Sequence, residues 1–253
     1  MQKKILFAVC FLLFSVLLIN CSKTSENNAF APNPSGQGGS LARFTIVGNY
    51  LYAVDEENLS VFKILDAANP VLIKTTKVGF EIETIFPFKD KLFIGSTSVV
   101  HIFSIENPED PVKLSQAISP NVIRRCDPVV AKDTVAYATL RVNGECGGIQ
   151  SVLACYDIKN VLNPVQKFAV NVGEPYGLGY KEDVLYVCDR QAGLRVYDIS
   201  NAYLPVQIKV LTHATWYIDV IPYNNVLLCW TNAGVTLYDI TNNRNPVLLT
   251  SIQ

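Results

Sequence analysis

The sequence predicts an all-β fold in which one four-stranded antiparallel unit occurs five times. Three observations predict it: a strand motif that recurs five times, a proline-valine pair at a fixed distance behind each copy, and a hairpin pattern in front of each copy. The 253 residues are 49% hydrophobic and 17% charged, a composition that excludes a mostly disordered chain. Repeated four-stranded units of this size are typical of blades around an axis, so we expect a β-propeller of five four-stranded antiparallel blades over residues 41–253.

The recurring motif is an apolar strand that ends in isoleucine. Its copies are Val61-Phe62-Lys63-Ile64, Ile102-Phe103-Ser104-Ile105, Cys155-Tyr156-Asp157-Ile158, Val196-Tyr197-Asp198-Ile199 and Leu237-Tyr238-Asp239-Ile240. A Pro-Val pair follows each copy, and the prolines at 70, 111, 164, 205 and 246 are 41, 53, 41 and 41 residues apart. An Asp or Asn two residues past each isoleucine favours an Asx-turn, and proline suits the start of an outer strand because no ladder N–H is needed there. Each unit is therefore predicted to contain a third strand, a reversing turn and a fourth strand.

A strand pair is predicted ahead of each motif, at residues 44–47 with 51–54, 84–88 with 91–95, 128–131 with 135–139, 178–180 with 184–188 and 219–222 with 226–230. The intervening turns are Gly48-Asn49, Lys89-Asp90, Lys132-Asp133, Glu182-Asp183 and Asn224-Asn225. Apolar residues on both faces of the third strand indicate sheets covered on both sides. The alternatives are an open β-solenoid or a pair of sandwiches. Because no strand is exchanged between the first and last units, ring closure is expected to depend on face-to-face packing alone.

The N-terminus has the pattern of an export signal. Lys3 and Lys4 precede an uncharged run over residues 5–19, which is short for a transmembrane helix and suits a secretory signal. The run ends Leu18-Ile19-Asn20-Cys21, which resembles the lipobox of bacterial lipoproteins, although that family prefers Gly, Ala or Ser where Asn20 stands. The resemblance implies a signal peptide at 1–20 and acyl chains on Cys21, and intact mass of the mature protein with and without Cys21→Ser tests this. The alternative is ordinary signal-peptidase cleavage.

Residues 21–40 are polar and rich in Gly, Pro, Ser and Asn, which predicts a flexible tether. A displaced strand around residues 29–31 is the alternative. Two or more acyl chains on one residue give stable anchoring, so we expect the domain to be held at a bacterial membrane, in the outer membrane of the cell envelope.

The repeated units resemble LVIVD repeats, a family of β-propeller repeats of secreted and lipid-anchored bacterial proteins. The segments that carry the resemblance include Arg43-Phe44-Thr45-Ile46-Val47-Gly48, Cys126-Asp127-Pro128-Val129-Val130 and Gly193-Leu194-Arg195-Val196-Tyr197-Asp198, and they look like the Bacteroidetes-type lipoprotein branch. The resemblance covers residues 41–253. It implies the propeller fold and brings no catalytic residues with it.

Two cysteines of the domain stand apart from the other three. Cys155, Cys188 and Cys229 occupy strand positions that are apolar or small in other units, which indicates buried free thiols. Cys126 precedes an inner strand, and Cys146 lies in a glycine-rich extension of the third unit, where a crosslink would restrict a long loop. We therefore predict a Cys126–Cys146 disulfide in the oxidising compartment outside the cytoplasm; two unpaired thiols are the alternative.

Catalytic, cofactor and metal motifs are missing from the sequence. His101 and His213 are the two histidines, and neither a zinc-ligand spacing, a phosphate loop nor a nucleophile elbow occurs. A glycosidase-like propeller enzyme acting on polysaccharide is the enzymatic alternative, with Asp127, Glu174, Asp189 and Asp219 as its candidate carboxylates. We expect no cofactor and no enzyme.

Basic and aromatic side chains concentrate in the loops at one mouth of the predicted propeller. The predicted partner-binding residues are Arg124, Arg125, Arg141, Tyr176, Arg190, His213 and Trp216. Since 21 basic and 22 acidic residues nearly balance, bulk attraction to nucleic acid is excluded. The sequence therefore predicts a lipid-anchored, non-enzymatic module that binds an envelope protein or glycan of anionic character. Two alternatives stay open: arginines that only bridge the loops by pairing with Asp127, Glu145 and Asp189, and a purely structural envelope component.

Overall fold

The computed structural model describes residues 38–97, 99–118, 128–142, 150–214 and 216–253, which form five four-stranded antiparallel sheets. The strands are β1 (Phe44–Val47), β2 (Tyr50–Val54), β3 (Asn58–Lys63), β4 (Val71–Lys77), β5 (Ile82–Phe88), β6 (Lys91–Ser96), β7 (Val99–Ser104), β8 (Val112–Ile118), β9 (Val129–Lys132), β10 (Val135–Leu140), β11 (Ser151–Asp157), β12 (Val165–Val172), β13 (Pro175–Lys181), β14 (Val184–Asp189), β15 (Gly193–Asp198), β16 (Val206–Leu211), β17 (Tyr217–Tyr223), β18 (Val226–Thr231), β19 (Gly234–Asp239) and β20 (Val247–Ile252). Each set of four consecutive strands forms one sheet, which we number blades 1 to 5. Residues from the first strand of every blade line one central cavity of about 470 Å³, so the five blades surround a common axis. The predicted five-bladed propeller is confirmed.

The predicted turn chemistry recurs in all five blades. The N–H groups of Ala68, Glu109, Leu162, Tyr203 and Arg244 donate to the side-chain oxygens of Asp66, Asn107, Asn160, Asn201 and Asn242, two residues earlier. The motif isoleucines 64, 105, 158, 199 and 240 donate their N–H at 2.8–2.9 Å to the first hairpin turn of the same blade. The spacing of isoleucine, Asx residue and proline is thus explained, because one stretch ends the third strand, fastens it to the first hairpin and starts the fourth strand.

The first hairpin of each blade turns through a residue in the left-handed backbone region. These residues and their φ angles are Gly48 (58°), Lys89 (55°), Asp133 (54°), Glu182 (51°) and Asn224 (51°). Tight two-residue hairpins need positive φ because only then does the turn match the twist of its strands. Four turns lie where the sequence predicts them, whereas the third is Asp133-Thr134 and not Lys132-Asp133, since Lys132 still belongs to β9.

The inner strands of blades 4 and 5 are longer than the predicted 178–180 and 219–222. The pairing of β13 with β14 shifts register between Pro175 and Leu178, and that of β17 with β18 shifts between Tyr217 and Asp219. A β-bulge adds a residue to one strand without ending the ladder. The apolar alternation is lost at the bulge, which hides the beginning of each strand from a periodicity argument.

Apolar clusters fill the interfaces between consecutive blades. The cluster between blades 3 and 4 contains Tyr137 and Cys155 from one blade and Val187 and Tyr197 from the other. Corresponding clusters join blade 1 to 2, blade 2 to 3 and blade 4 to 5. Tyrosine hydroxyls add hydrogen bonds to the following blade: Tyr52 to Pro108 O, Tyr137 to Ala202 O and Tyr186 to Asn243 O. The sheets are therefore covered on both faces, as the third-strand pattern predicts.

The three thiols predicted to be buried and free are so. Cys155, Cys188 and Cys229 are each fully buried and unpaired. Burial raises the pKa of all three thiols, that of Cys155 to about 12. They act as small apolar core residues.

Hydrogen bonds at the axis connect blade 5 to the segment before blade 1. The Asp219 carboxylate accepts from Ser40 Oγ at 3.3 Å and from Leu41 N at 3.3 Å, while Leu178 N donates to Ser40 Oγ at 2.7 Å. We call this group, Gly39–Leu41 with Asp219, the clasp. Within the described ranges no buried apolar cluster spans blades 5 and 1. Closure by face-to-face packing alone is therefore a wrong prediction, because the polar clasp joins the two blades.

The clasp also corrects the predicted end of the tether. Gly39 and Ser40 are buried, although the sequence analysis assigns them to a flexible segment that ends at residue 40. A Cβ on Gly39 would lie 1.9 Å from Asp219 Oδ2, so glycine allows the chain to approach the carboxylate. In the part of the chain that the structure describes, no helix is long and apolar enough to cross a membrane.

Candidate functional site

Four of the predicted partner-binding side chains meet at one end of the propeller. The Arg141 guanidinium carbon lies 4.0 Å from the centre of the Tyr176 ring. The Arg190 guanidinium carbon lies 3.9 Å from the centre of a Trp216 ring and 5.7 Å from that of Tyr176. Arginine and aromatic ring thus alternate in the order Arg141, Tyr176, Arg190, Trp216. We call these four residues the ladder.

The fold explains why these residues meet. Arg141 directly follows β10 in blade 3, Arg190 directly follows β14 in blade 4, Tyr176 is the second residue of β13, and Trp216 directly precedes β17 in blade 5. In each blade these positions lie at the end where the second strand finishes and the first strand begins. Equivalent ends of neighbouring blades are adjacent in a propeller, so residues far apart in sequence come together.

Main-chain hydrogen bonds fix the ladder to the blades. Thr139 Oγ1 donates to Tyr176 O at 2.6 Å, which connects blade 3 to blade 4. Arg190 N donates to Glu174 O at 2.9 Å, and Asn232 N donates to Trp216 O at 3.2 Å. The backbone beneath three of the four residues is thereby held by neighbouring strands and loops.

Arg190 is oriented by two polar partners as well as by the rings. Its Nη1 lies 3.2 Å from Glu174 Oε1 and donates to Tyr176 Oη at 2.9 Å. The side chain is one-third exposed. Both side-chain hydrogen bonds that the described residues make to Arg190 use Nη1, which leaves the Nη2 edge for a ligand.

Asp189 organises the loop that carries Arg190. The carboxylate is fully buried and accepts from the backbone N–H groups of Gly173, Glu174, Gln191 and Ala192 at 2.9–3.2 Å. Arg195 Nε donates to it at 2.7 Å. Burial alone would raise the pKa of the Asp189 carboxyl, but these donors together lower it below its usual 3.8. Asp189 is therefore an ionised, structural residue.

The predicted pairing of rim arginines with Asp189 is wrong in its partners. Asp189 pairs with Arg195, a residue of β15, and Arg190 pairs with Glu174. Loop bridging and ring stacking therefore coexist at Arg190. Glu174, which the sequence analysis treats as a candidate catalytic carboxylate, acts here as the partner of an arginine.

His213 lies in the same group of loops but contacts a different set of residues. Its Nδ1 is 3.3 Å from Tyr238 Oη, and the two rings are 5.7 Å apart between centroids. Tyr238 Oη is also hydrogen-bonded to Tyr217 Oη, which accepts from Ala214 N at 3.2 Å. The structure thus places His213 against buried tyrosines of blade 5, and its role in binding a partner stays a prediction.

Five predicted site residues lie outside the described residues: Cys21, Arg124, Arg125, Cys126 and Cys146. The acylation of Cys21, the Cys126–Cys146 disulfide and the contribution of Arg124 and Arg125 to the rim stay predictions.

The candidate carboxylates of the glycosidase alternative have other functions where the structure describes them. Asp189 is held by five donors, Glu174 by Arg190, and Asp219 by the clasp. Asp127 lies outside the described residues. Within those residues, no group of three or more His, Cys, Asp or Glu side chains could hold a metal ion.

The central cavity is apolar and opens away from the ladder. Its walls include Phe44, Phe86, Phe88 and Tyr180, with Lys89 as a charged lining residue. Phe88 and Lys89 lie at the turn between β5 and β6, at the opposite end of the blades from Arg141 and Arg190. The ladder and the cavity are therefore separate features.

The structure defines this chain as a β-propeller with a basic and aromatic rim, and its repeats can be assigned in part. The LVIVD repeat model matches residues 38–77 and 178–208, which confirms the resemblance over these two segments. None of the curated proteins compared with the chain matches it.

Solved structures share the fold at low sequence identity. A protein from Lactobacillus plantarum has a TM-score of 0.64 and 14% identity, over 81% of this chain and 72% of that one. A chain of the mitotic checkpoint complex has a TM-score of 0.55 and 14% identity, over 78% and 61%. BamB from Moraxella catarrhalis has a TM-score of 0.51 and 10% identity, over 81% and 59%. The chain thus spans about three fifths of the length of the last two, and the likeness concerns the fold.

Sequence reasoning missed two contacts that shape the site. The Asp189–Arg195 pair lies on neighbouring strands six residues apart, and the clasp joins residues 179 positions apart. Two glycines give a signal for the clasp: Gly39 and Gly177 both approach the Asp219 carboxylate so closely that a Cβ would lie within about 2 Å of it.

Proposed function

We propose that the protein is a lipid-anchored, non-enzymatic binding module of the bacterial envelope, and that the ladder end of the propeller binds an anionic protein or glycan. The observation that carries this proposal is the alternation of Arg141, Tyr176, Arg190 and Trp216 across three blades. A propeller of LVIVD repeats is consistent with an interaction module, and one similar structure is a chain of a protein complex by its title.

The ladder suits carboxylates because of how its arginines are held. A guanidinium stacked on rings keeps its in-plane N–H groups for acceptors, and a planar fork matches a carboxylate bidentately. Each stacking contact at a partly exposed site contributes about 0.5–1 kcal/mol, enough to favour one orientation of the side chain before a ligand arrives. Trp216, 41% exposed, adds a flat apolar surface for a sugar ring or an apolar side chain.

Membrane anchoring rests on the sequence alone. The signal pattern and Cys21 support acylation, and the polar stretch after Cys21 supports a domain held away from the bilayer. Mass spectrometry of the mature protein, compared with Cys21→Ser, tests the anchor. An unmodified Cys21 in the mature chain contradicts it.

Binding is tested with two probes of the same charge type, a galacturonate oligosaccharide and a glutamate-rich peptide. We expect Arg190→Ala and Trp216→Ala to weaken capture of the preferred probe about tenfold, and we expect binding to weaken as salt rises. Arg244→Ala is the matched control, because Arg244 is an exposed arginine paired with Asp198 in the loop between β19 and β20, at the far end of the blade. The double variant Arg124→Ala, Arg125→Ala extends the same assay to the predicted pair.

The probe that binds identifies the partner class. Equal binding of both probes by the wild type, Arg190→Ala and Arg244→Ala contradicts a ladder site and favours loop bridging. Release of new reducing ends from the oligosaccharide contradicts the non-enzymatic assignment and favours the glycosidase alternative.

A further inference from the structure

Blade 5 carries an apolar face that the other described blades leave partly uncovered. Each blade has one face toward the preceding blade and one toward the following blade. On the forward face of blade 4, Cys188 is fully buried and Leu211 is 3% exposed. The equivalent residues of blade 5, Trp230 and Ile252, are 56% and 57% exposed, and Leu237 is only half-buried. The forward face of blade 5 therefore has apolar side chains in the positions that a neighbour covers in blade 4.

Blade 1 has the complementary, partly uncovered face. Leu51 and Phe62 are half-buried, and Leu72, opposite Phe62 in the sheet, is 55% exposed. Their counterparts Leu185 and Tyr197 in blade 4 pack into the interface with blade 3 and are at most 2% exposed. The backward face of blade 1 thus repeats a surface that the preceding blade covers elsewhere in the same chain.

The internal interfaces show what each of these two faces binds. At all four of them, the forward face of one blade packs on the backward face of the next. The described chain contains one partly uncovered forward face and one partly uncovered backward face. We propose that a second copy of this chain supplies the missing partner: blade 5 of one copy packs on blade 1 of the other.

The pairing is head-to-tail, because two different surfaces meet. Two copies can satisfy both faces reciprocally in a closed pair, and further copies can extend the series. The contact lacks the tyrosine hydrogen bond of the internal interfaces, since Leu228 stands where Tyr52, Tyr137 and Tyr186 donate to the next blade. Apolar contact alone makes the association reversible and dependent on concentration.

The experiment uses the chain with Cys21→Ser, so that acyl chains do not drive association. Sedimentation is measured from about 1 to 200 µM, a range that covers micromolar affinity. We expect the mass to rise from one chain to two or more. Trp230→Glu, on blade 5, and Leu72→Glu, on blade 1, should each weaken association at least tenfold, since both are exposed positions where a charge leaves the monomer intact. Val206→Glu is the matched control, because Val206 is 54% exposed on the outer strand of blade 4.

Mixing the two blocked variants distinguishes head-to-tail pairing from other arrangements. Trp230→Glu retains a good blade 1 and Leu72→Glu retains a good blade 5, so the mixture should form one-to-one pairs that neither variant forms alone. Pairing of Leu72→Glu with itself, at wild-type strength, overturns the proposal in favour of contact between like faces.

Tryptophan fluorescence tests whether another part of the chain covers the face. The protein has two tryptophans, so Trp216→Phe makes Trp230 the single reporter. Acrylamide quenching of Trp230 should fall about twofold as the copies associate, in step with the mass. A chain that stays monomeric, with Trp230 shielded at every concentration, overturns the proposal because its own chain then covers the face.

Discussion

Asp219 provides a quantitative test of the clasp through pH. Its carboxylate is 8% exposed and accepts hydrogen bonds from Ser40 Oγ and Leu41 N. Burial raises the pKa of Asp219 to about 6 from its usual 3.8, although the N–H groups of Val220 and Leu41 act in the opposite direction. The folded protein therefore binds this proton more tightly than the unfolded chain does.

The sign and size of the effect follow from the two pKa values. A carboxyl whose pKa is higher in the folded state adds to the free energy of unfolding as pH falls through about 6, and the gain is complete below about 3.8. Between pH 7.5 and 5 the gain is about 1 kcal/mol, and its upper limit at lower pH is about 3 kcal/mol.

His101 acts in the opposite direction and has to be separated from Asp219. Burial, with a smaller contribution from the charge of Lys113, lowers the pKa of His101 to about 4 from 6.5. The unfolded chain then binds the proton more tightly, which removes about 2 kcal/mol between pH 7.5 and 5. The wild type alone is therefore not expected to become more stable in acid.

The comparison with Asp219→Asn isolates the carboxyl. Urea unfolding of both proteins at pH 7.5 and pH 5 should show the wild type gaining about 1 kcal/mol relative to the variant at the lower pH. In a His101→Gln background the wild-type Asp219 protein should itself become more stable at pH 5. A difference between wild type and Asp219→Asn that is the same at both pH values would refute the buried clasp.

Three further predictions concern the core and the loops. Asp189→Asn should destabilise the protein by about 2–4 kcal/mol in urea unfolding, because a neutral amide cannot accept from five donors around a buried site, and an unchanged midpoint would contradict this role. Gly177→Ala should destabilise the fold and reduce the pH dependence assigned to Asp219, since its Cβ would lie 2.0 Å from Oδ1, whereas Gly48→Ala, with open space around it, is the comparison. The native protein should not react with a thiol reagent at Cys155, Cys188 and Cys229 until it unfolds, and fast labelling at pH 8 would contradict their burial.

The sequence predicts the blades well because the information is local. The five isoleucine motifs, their Asx residues and their prolines each act within a few residues, and the hydrogen bonds of the turns reproduce that spacing. The meeting of Arg141, Tyr176, Arg190 and Trp216 is also predictable, since it needs only equivalent loop positions in adjacent blades. The order of stacking and the pairing of Arg190 with Glu174 are not, because they depend on side-chain rotamers and on the bulge after Pro175. The clasp depends on a contact across almost the whole domain, which no local pattern contains.

The repeated hairpin turn offers a route to a more robust protein. Blade 1 uses Gly48 at the left-handed position, while Lys89, Asp133 and Glu182 occupy the same position with side chains. A side chain other than Asn in that conformation costs about 1 kcal/mol, and glycine returns part of this in the flexibility it adds to the unfolded chain. The chain thus contains its own consensus for thermostabilisation: copying glycine from the first turn into the second, third and fourth would raise the melting temperature in small, additive steps, far from both the ladder and the clasp.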